Sequence, residues 1–151
     1  MRGRSGLSPA TGERLQAPVR LQPTTLEEAG LAEASVDVVL SVSTIEHFGA
    51  DDFTRFAQAA RAVLTPGGHL VLTIDLFLDL KPFTSRERNA FGLNANVAAL
   101  LDQLDATLVV GNADELYGYP GFDADRVQSG LSNYLVGEGY PGMTQCLVAR
   151  V

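Results

Sequence analysis

Val36 to Val42 is a nearly continuous apolar run, interrupted by Asp37. A polar turn, Ser43 to His47, follows it. Phe53, Phe56, Ala57, Ala60, Val63 and Leu64 then recur at helical spacing and define one apolar face. Pro66-Gly67-Gly68 stops that helix and allows a tight return into a second apolar run, Leu70 to Ile74. Strand, helix and strand in this order predict a β-α-β crossover, with two neighbouring parallel strands and a helix on one face. The continuous first run suits a strand covered on both faces. Asp51 or Asp52 is the expected helix cap. Ligands of such sheets sit beyond the carboxyl ends of the strands, which directs attention to Ser41–His47 and Asp75–Asp79.

Outside this unit the pattern is weaker. Residues 1–16 have no periodicity and are broken by Gly3, Gly6, Pro9 and Gly12. The expectation is a disordered or foreign segment over residues 1–18, with a domain over 19–151. Val19–Leu21 reads as a short strand, and Thr24 or Thr25 as the cap of a helical turn. Phe77 to Asn96 is a polar-aromatic stretch too long for a simple connector, and reads as a functional loop or lid. Val97–Leu104 is helical, Thr107–Val110 a strand, and Leu116–Phe122 an aromatic turn. Asp123–Leu135 is helical although Gly130 weakens it. Gln145–Val151 is the closing strand.

Composition narrows the class. With 151 residues, 46% hydrophobic and 19% charged, the chain fits one globular domain rather than a disordered one. The net charge is −7 although the first twenty residues are basic. An acidic body argues against nucleic acid as the main partner. Cys146 is the single cysteine, so no disulfide forms within the chain, which suits a reducing compartment. No apolar run approaches a membrane span, and the Arg-, Gly- and Ser-rich start lacks an apolar signal region. The expectation is a cytoplasmic protein with no membrane partner. No His or Cys spacing suits zinc, and neither a phosphate-cradling Gly-Lys loop nor a nucleophile arrangement is evident.

Asp37 within its strand, Ser43-Thr44-Ile45-Glu46-His47 after it, and Leu64-Thr65-Pro66-Gly67-Gly68 before the next strand resemble the central part of a class I S-adenosylmethionine-dependent methyltransferase. The resemblance runs from about Leu21 to the C-terminus. It implies an α/β, Rossmann-like methyltransferase sheet, mostly parallel with an antiparallel last strand. Thr107–Val110 and Gln145–Val151 would be the antiparallel pair. The family's glycine-rich loop after its first strand has no counterpart here, so the resemblance also implies a domain truncated at its N-terminus.

It further implies S-adenosylmethionine as cofactor and a small-molecule acceptor. Ser41, Val42 and Ser43 would approach the methionine part of the cofactor; the plainer alternative is strand-end capping by small polar residues. Thr25-Leu26 falls where family members place an acidic residue against the adenine amine. Thr25 is not acidic, and Glu27 is a substitute unless it only favours a helix start. Glu46 belongs with the cofactor pocket. His47 is either a base or acceptor-orienting group, or with Glu46 a structural pair capping the turn. Asp75, with Asp79, either binds a cationic or hydroxylated acceptor or is solvated loop charge. His69 enters the second strand at the opposite end and reads as structural.

The rival reading is non-catalytic: a truncated remnant, or a module that completes its sheet with a partner. Val36–Val42 would then lie near an exposed sheet edge, inviting self-association.

Overall fold

The computed structural model describes residues 18–131 and 141–151. The predicted crossover is present. Strand β1 (Val36–Val42) leads through a 3-10 turn (Ile45–His47) and helix α1 (Ala50–Val63) into strand β2 (Leu64–Phe77). β1 and β2 pair in parallel, with Val39 opposite Leu70 and Ser41 opposite Leu72. After β2 come helix α2 (Val97–Gln103), strand β3 (Thr107–Val110), helix α3 (Ala124–Ser129) and strand β4 (Gly142–Arg150). β3 and β4 form the expected antiparallel pair.

The expectation of a mostly parallel sheet is overturned. The strand order is β1-β2-β4-β3, and only β1 and β2 are parallel. β4 runs antiparallel to both its neighbours. The reversed strand does not cap an edge. It is inserted between β2 and β3, so one reversal sets two of the three ladders, although β1, β2 and β3 point the same way.

Alternation along the strands assigns one face to the core. Leu70, Leu72 and Ile74 of β2 stand in register with Ala149, Leu147 and Gln145 of β4, and all six are buried. Ala57, Ala60 and Val63 of α1 and Leu100 and Leu101 of α2 close over this face. Burying a Leu or Ile of this kind contributes about 1.5–3 kcal/mol.

The opposite face differs from the expectation of a doubly covered strand. Leu40, Val71, Val148 and Val110 form one cross-sheet row. Leu40 is 64% exposed and Val110 57%, so no element among the described residues covers this row. β1 is also an edge of the described sheet.

Local chemistry explains the turns. Gly49, not Asp51 or Asp52, is the N-cap of α1; Asp52 sits at the third helical position and its Oδ2 accepts from Gly49 N at 3.2 Å. The last carbonyls of α1 are not left orphaned, because Ala34 N and Ser35 N donate to Ala62 O and Val63 O. Gly67 takes φ +81° and its N–H donates to Val151 O, closing the Pro-Gly-Gly turn against the chain end. Val19–Leu21 forms no strand, and Thr25–Ala29 makes turns only. The proposed helix beyond Asp123 runs to Ser129; its expected end, like residues 1–16, lies outside the described residues.

Candidate cofactor cleft and carboxyl pair

A cleft of about 500 Å³ opens beside the carboxyl end of β1, between the strand, the Thr24–Glu27 segment and α1. Of the cofactor-contact residues singled out in the sequence, Thr25, Leu26, Ser41 and Val42 line it, as does Glu27. Ser43 and Glu46 do not. Ser43 turns the chain out of β1 with φ +43°, a region that disfavours non-glycine residues, and its N–H donates to Thr73 O at 2.9 Å. That turn aims the next residue, Thr44, at the cleft wall.

Thr44, within the Ser41–His47 stretch, also lines it, with Thr24, Val39 and Leu40; Phe48, Asp52, Arg55 and Phe56, which no sequence motif marks as ligand-facing, complete the lining. Phe48 and Phe56 meet as a tilted aromatic pair, 5.7 Å between centroids. Phe56 was legible as an apolar helix position, but its share in the cleft depends on Phe48 folding back from the preceding turn. Arg55 pairs with Asp52 and reaches Glu27 Oε1 at 3.6 Å. The Arg55 hydrogen bond, with the Gly49 N–H, holds the Asp52 carboxyl below its usual range. Glu27 thus stands on the cleft wall in an ion pair with Arg55. Beyond Leu26, Glu27 and Arg55 lies a second groove of about 340 Å³, floored by Ala59, Ala62 and Val63 of α1.

His47 and Asp75 lie outside the cleft lining. His47 is exposed, and its carbonyl accepts from Arg88 Nη2 at 3.2 Å. Asp75 is 7% exposed at the end of β2, where Oδ1 accepts from Thr144 Oγ1 at 3.0 Å. Glu46 is fully buried, and its carboxyl lies within hydrogen-bonding reach of Asp75. Its pKa is raised, first by burial and then by the neighbouring Asp75. Asp79 does not join them: it binds Arg86 at 3.1 Å and Asn89 at 2.8 Å within the following loop. His69 enters β2 opposite Arg150, at the far end from the cleft.

The 78–96 loop is a built strap. Asn94 fastens its two ends, accepting from Phe77 N at 2.6 Å and donating to Phe77 O and Lys81 O at 2.9 Å. Leu93 N donates to Glu46 O at 2.9 Å. Gly92 packs so closely on that carbonyl that a Cβ would strike it. Phe91 stacks on Phe77 at 6.3 Å. Among the described residues, no group of three or more His, Cys, Asp or Glu is placed to hold a metal ion. No helix among them is long and apolar enough to cross a membrane.

An α/β sheet with a ligand-sized cleft at the carboxyl end of a parallel pair, and a reversed strand inserted beside it, defines a fold class. The chain has the fold of S-adenosylmethionine-dependent methyltransferases. A family model described as a methyltransferase domain matches residues 7–72, less than half of the chain. Among solved structures, the 4+2 cyclase SpnF superposes with a TM-score of 0.56 at 16% identity, over 93% of this chain and 59% of that one. The Burkholderia thailandensis 1,6-didemethyltoxoflavin-N1-methyltransferase, solved with 1,6-didemethyltoxoflavin and S-adenosylhomocysteine, gives 0.57 at 19% identity, over 93% and 54%. An S-adenosylmethionine-dependent methyltransferase from Mesorhizobium loti gives 0.52 at 15%, over 94% and 75%. The chain thus spans less than two thirds of the first and second of these. No curated protein matches the sequence.

Proposed function

We propose that this chain binds S-adenosylmethionine in the cleft beside β1 and takes part in methyl transfer to a small-molecule acceptor. The observation that carries the reading is the convergence of Thr25, Leu26, Ser41 and Val42 on one cleft. These are the residues at which the family pattern puts adenine and methionine contacts. The fold alone would not suffice, since a cyclase and methyltransferases share it.

The residues fit one side of such a cofactor. Leu26, Phe48 and Phe56 offer an apolar wall for a flat heteroaromatic ring. Thr25, Ser41 and Thr44 bring hydroxyls to the same cleft. When bound, the cofactor supplies an electrophilic methyl group on a sulfonium sulfur. The chain's task is then to hold the acceptor in line and to exclude water. The strap over the 3-10 turn serves the second purpose. Asp75, and His47 beside Glu46, are the acceptor-facing groups of this reading, with His47 the base where the acceptor is protonated at working pH.

Calorimetric titration of the 151-residue chain with S-adenosylmethionine and S-adenosylhomocysteine tests it. Micromolar binding that Ser41→Trp abolishes is expected. A folded chain that takes up neither ligand contradicts it.

A second reading is favoured by the bare row of the sheet. With Val38, Leu40 and Val42 of an edge strand all more than half exposed, the chain would act as a partner-dependent module, either self-associating or completing its sheet on another chain. Light scattering on the purified chain separates the two: a monomer that binds the cofactor excludes the module reading.

A further inference from the structure

One buried group is left unused by the cleft. Glu46 is at the middle of the 3-10 turn, fully buried, and among the described residues no other residue donates a hydrogen bond to either carboxyl oxygen; only its own backbone N–H favours the ionised form. An ionised carboxylate there would surrender its hydration for that one backbone N–H, which offsets less than the burial costs. What it meets is a second carboxyl, that of Asp75, nearly buried and already accepting from Thr144. Two carboxyl groups in contact away from water cannot both ionise cheaply; one proton between them satisfies both.

We propose that Glu46 is a neutral acid in the working protein, that its O–H donates to the Asp75 carboxylate, and that it is the positioning residue for Asp75. The proton completes a clasp across three elements. Glu46 belongs to the turn after β1, Asp75 to the end of β2 and Thr144 to β4, so Asp75 is held from two sides by an acid and a hydroxyl. The strap closes the clasp from above. Leu93 N binds the Glu46 carbonyl, and Gly92 fills the space a side chain would need.

The charged groups facing Glu46 are few. Asp75 opposes its ionisation, and burial opposes it more strongly. His47, on the same turn, favours ionisation but ranks last among the causes. From the strap, Arg88 is turned to the His47 carbonyl. From β4, the Thr144 hydroxyl donates to Asp75. The catalytic consequence rests on the reading of Asp75 as an acceptor-facing group. The proton itself does not.

Carbon-detected NMR of the side-chain carboxyls across a pH series tests the proposal on the 151-residue chain. One glutamate Cδ signal is expected to stay at its protonated position at neutral pH and to vanish in Glu46→Gln. The Asp75 Cγ signal is expected to hold its place in Glu46→Gln, where an amide N–H still donates. It is expected to move in Glu46→Leu, which fills the space without a donor. If every glutamate titrates near the ordinary value, Glu46 is ionised and the proposal falls. It falls equally if the Asp75 signal keeps its place in a folded Leu variant. Should the Leu variant not fold, the wild-type and Gln titrations decide. Cofactor binding is measured separately. A protonated Glu46 in a chain that binds no cofactor sinks only the methyltransfer reading; an ionised Glu46 in a chain that binds it sinks only this one.

Discussion

Individual residues carry most of the chemistry, and the pair at the strand ends was only half legible. Glu46 and Asp75 each stood out as polar groups following a strand. That they meet depends on the parallel register of β1 and β2 and on the turn folding under the strap, which no local pattern encodes. Their linkage to stability has a definite sign. The folded-state pKa of Glu46 lies above its ordinary 4.5. Its stabilising contribution is therefore complete below that value and is lost as pH rises through the folded pKa. Glu46→Gln removes this loss, so the variant should melt higher than wild type at alkaline pH and show no such gain near pH 4. Thermal melts across that range check it, and parallel curves would contradict it. Gly92 carries no local signal that sets it apart within the Phe77–Asn96 stretch. Its replacement by Ala should cost about 1–3 kcal/mol in urea unfolding, because a side chain must displace the Glu46 carbonyl.

At the scale of elements, the crossover was readable because each part announces itself locally. Apolar runs give β1 and β2, the spacing of Ala57, Ala60 and Val63 gives α1, and β3 falls on its predicted residues. The order of strands was not readable, because pairing is non-local. β4 has an alternating burial pattern that suits either a sheet edge or an interior place, and its insertion between β2 and β3 is what makes the sheet mainly antiparallel. Caps shifted for a similar reason: Asp52 serves α1 from inside the first turn, since Gly49 takes the extended conformation before it. The α2 cap was not singled out at all. Asn96 accepts from Ala99 N at 2.9 Å, and Gly118 approaches it too closely for any side chain. Asn96→Ala should destabilise the protein by about 1 kcal/mol in denaturant titration, with the fold retained.

For the molecule as a whole, half of the candidate cofactor site was legible and half was assembled by the fold. Thr25, Leu26, Ser41 and Val42 were named from sequence. Phe48, Asp52 and Arg55 come to the cleft only when α1 packs across the sheet. The other face of the sheet carries the remaining surprise, since an apolar run that suggested double coverage is bare on one side. Val38→Lys, outside the cleft lining, should therefore reduce any self-association in light scattering while changing stability by no more than about 0.5 kcal/mol. The central claim is that the cleft beside β1 holds S-adenosylmethionine, and the most direct test is amide NMR of the chain titrated with S-adenosylhomocysteine. Saturable shifts centred on Thr25, Leu26, Ser41, Val42 and Thr44 are expected, with β3 and α3 unmoved. A well-dispersed spectrum that does not change, or shifts centred elsewhere, would contradict it.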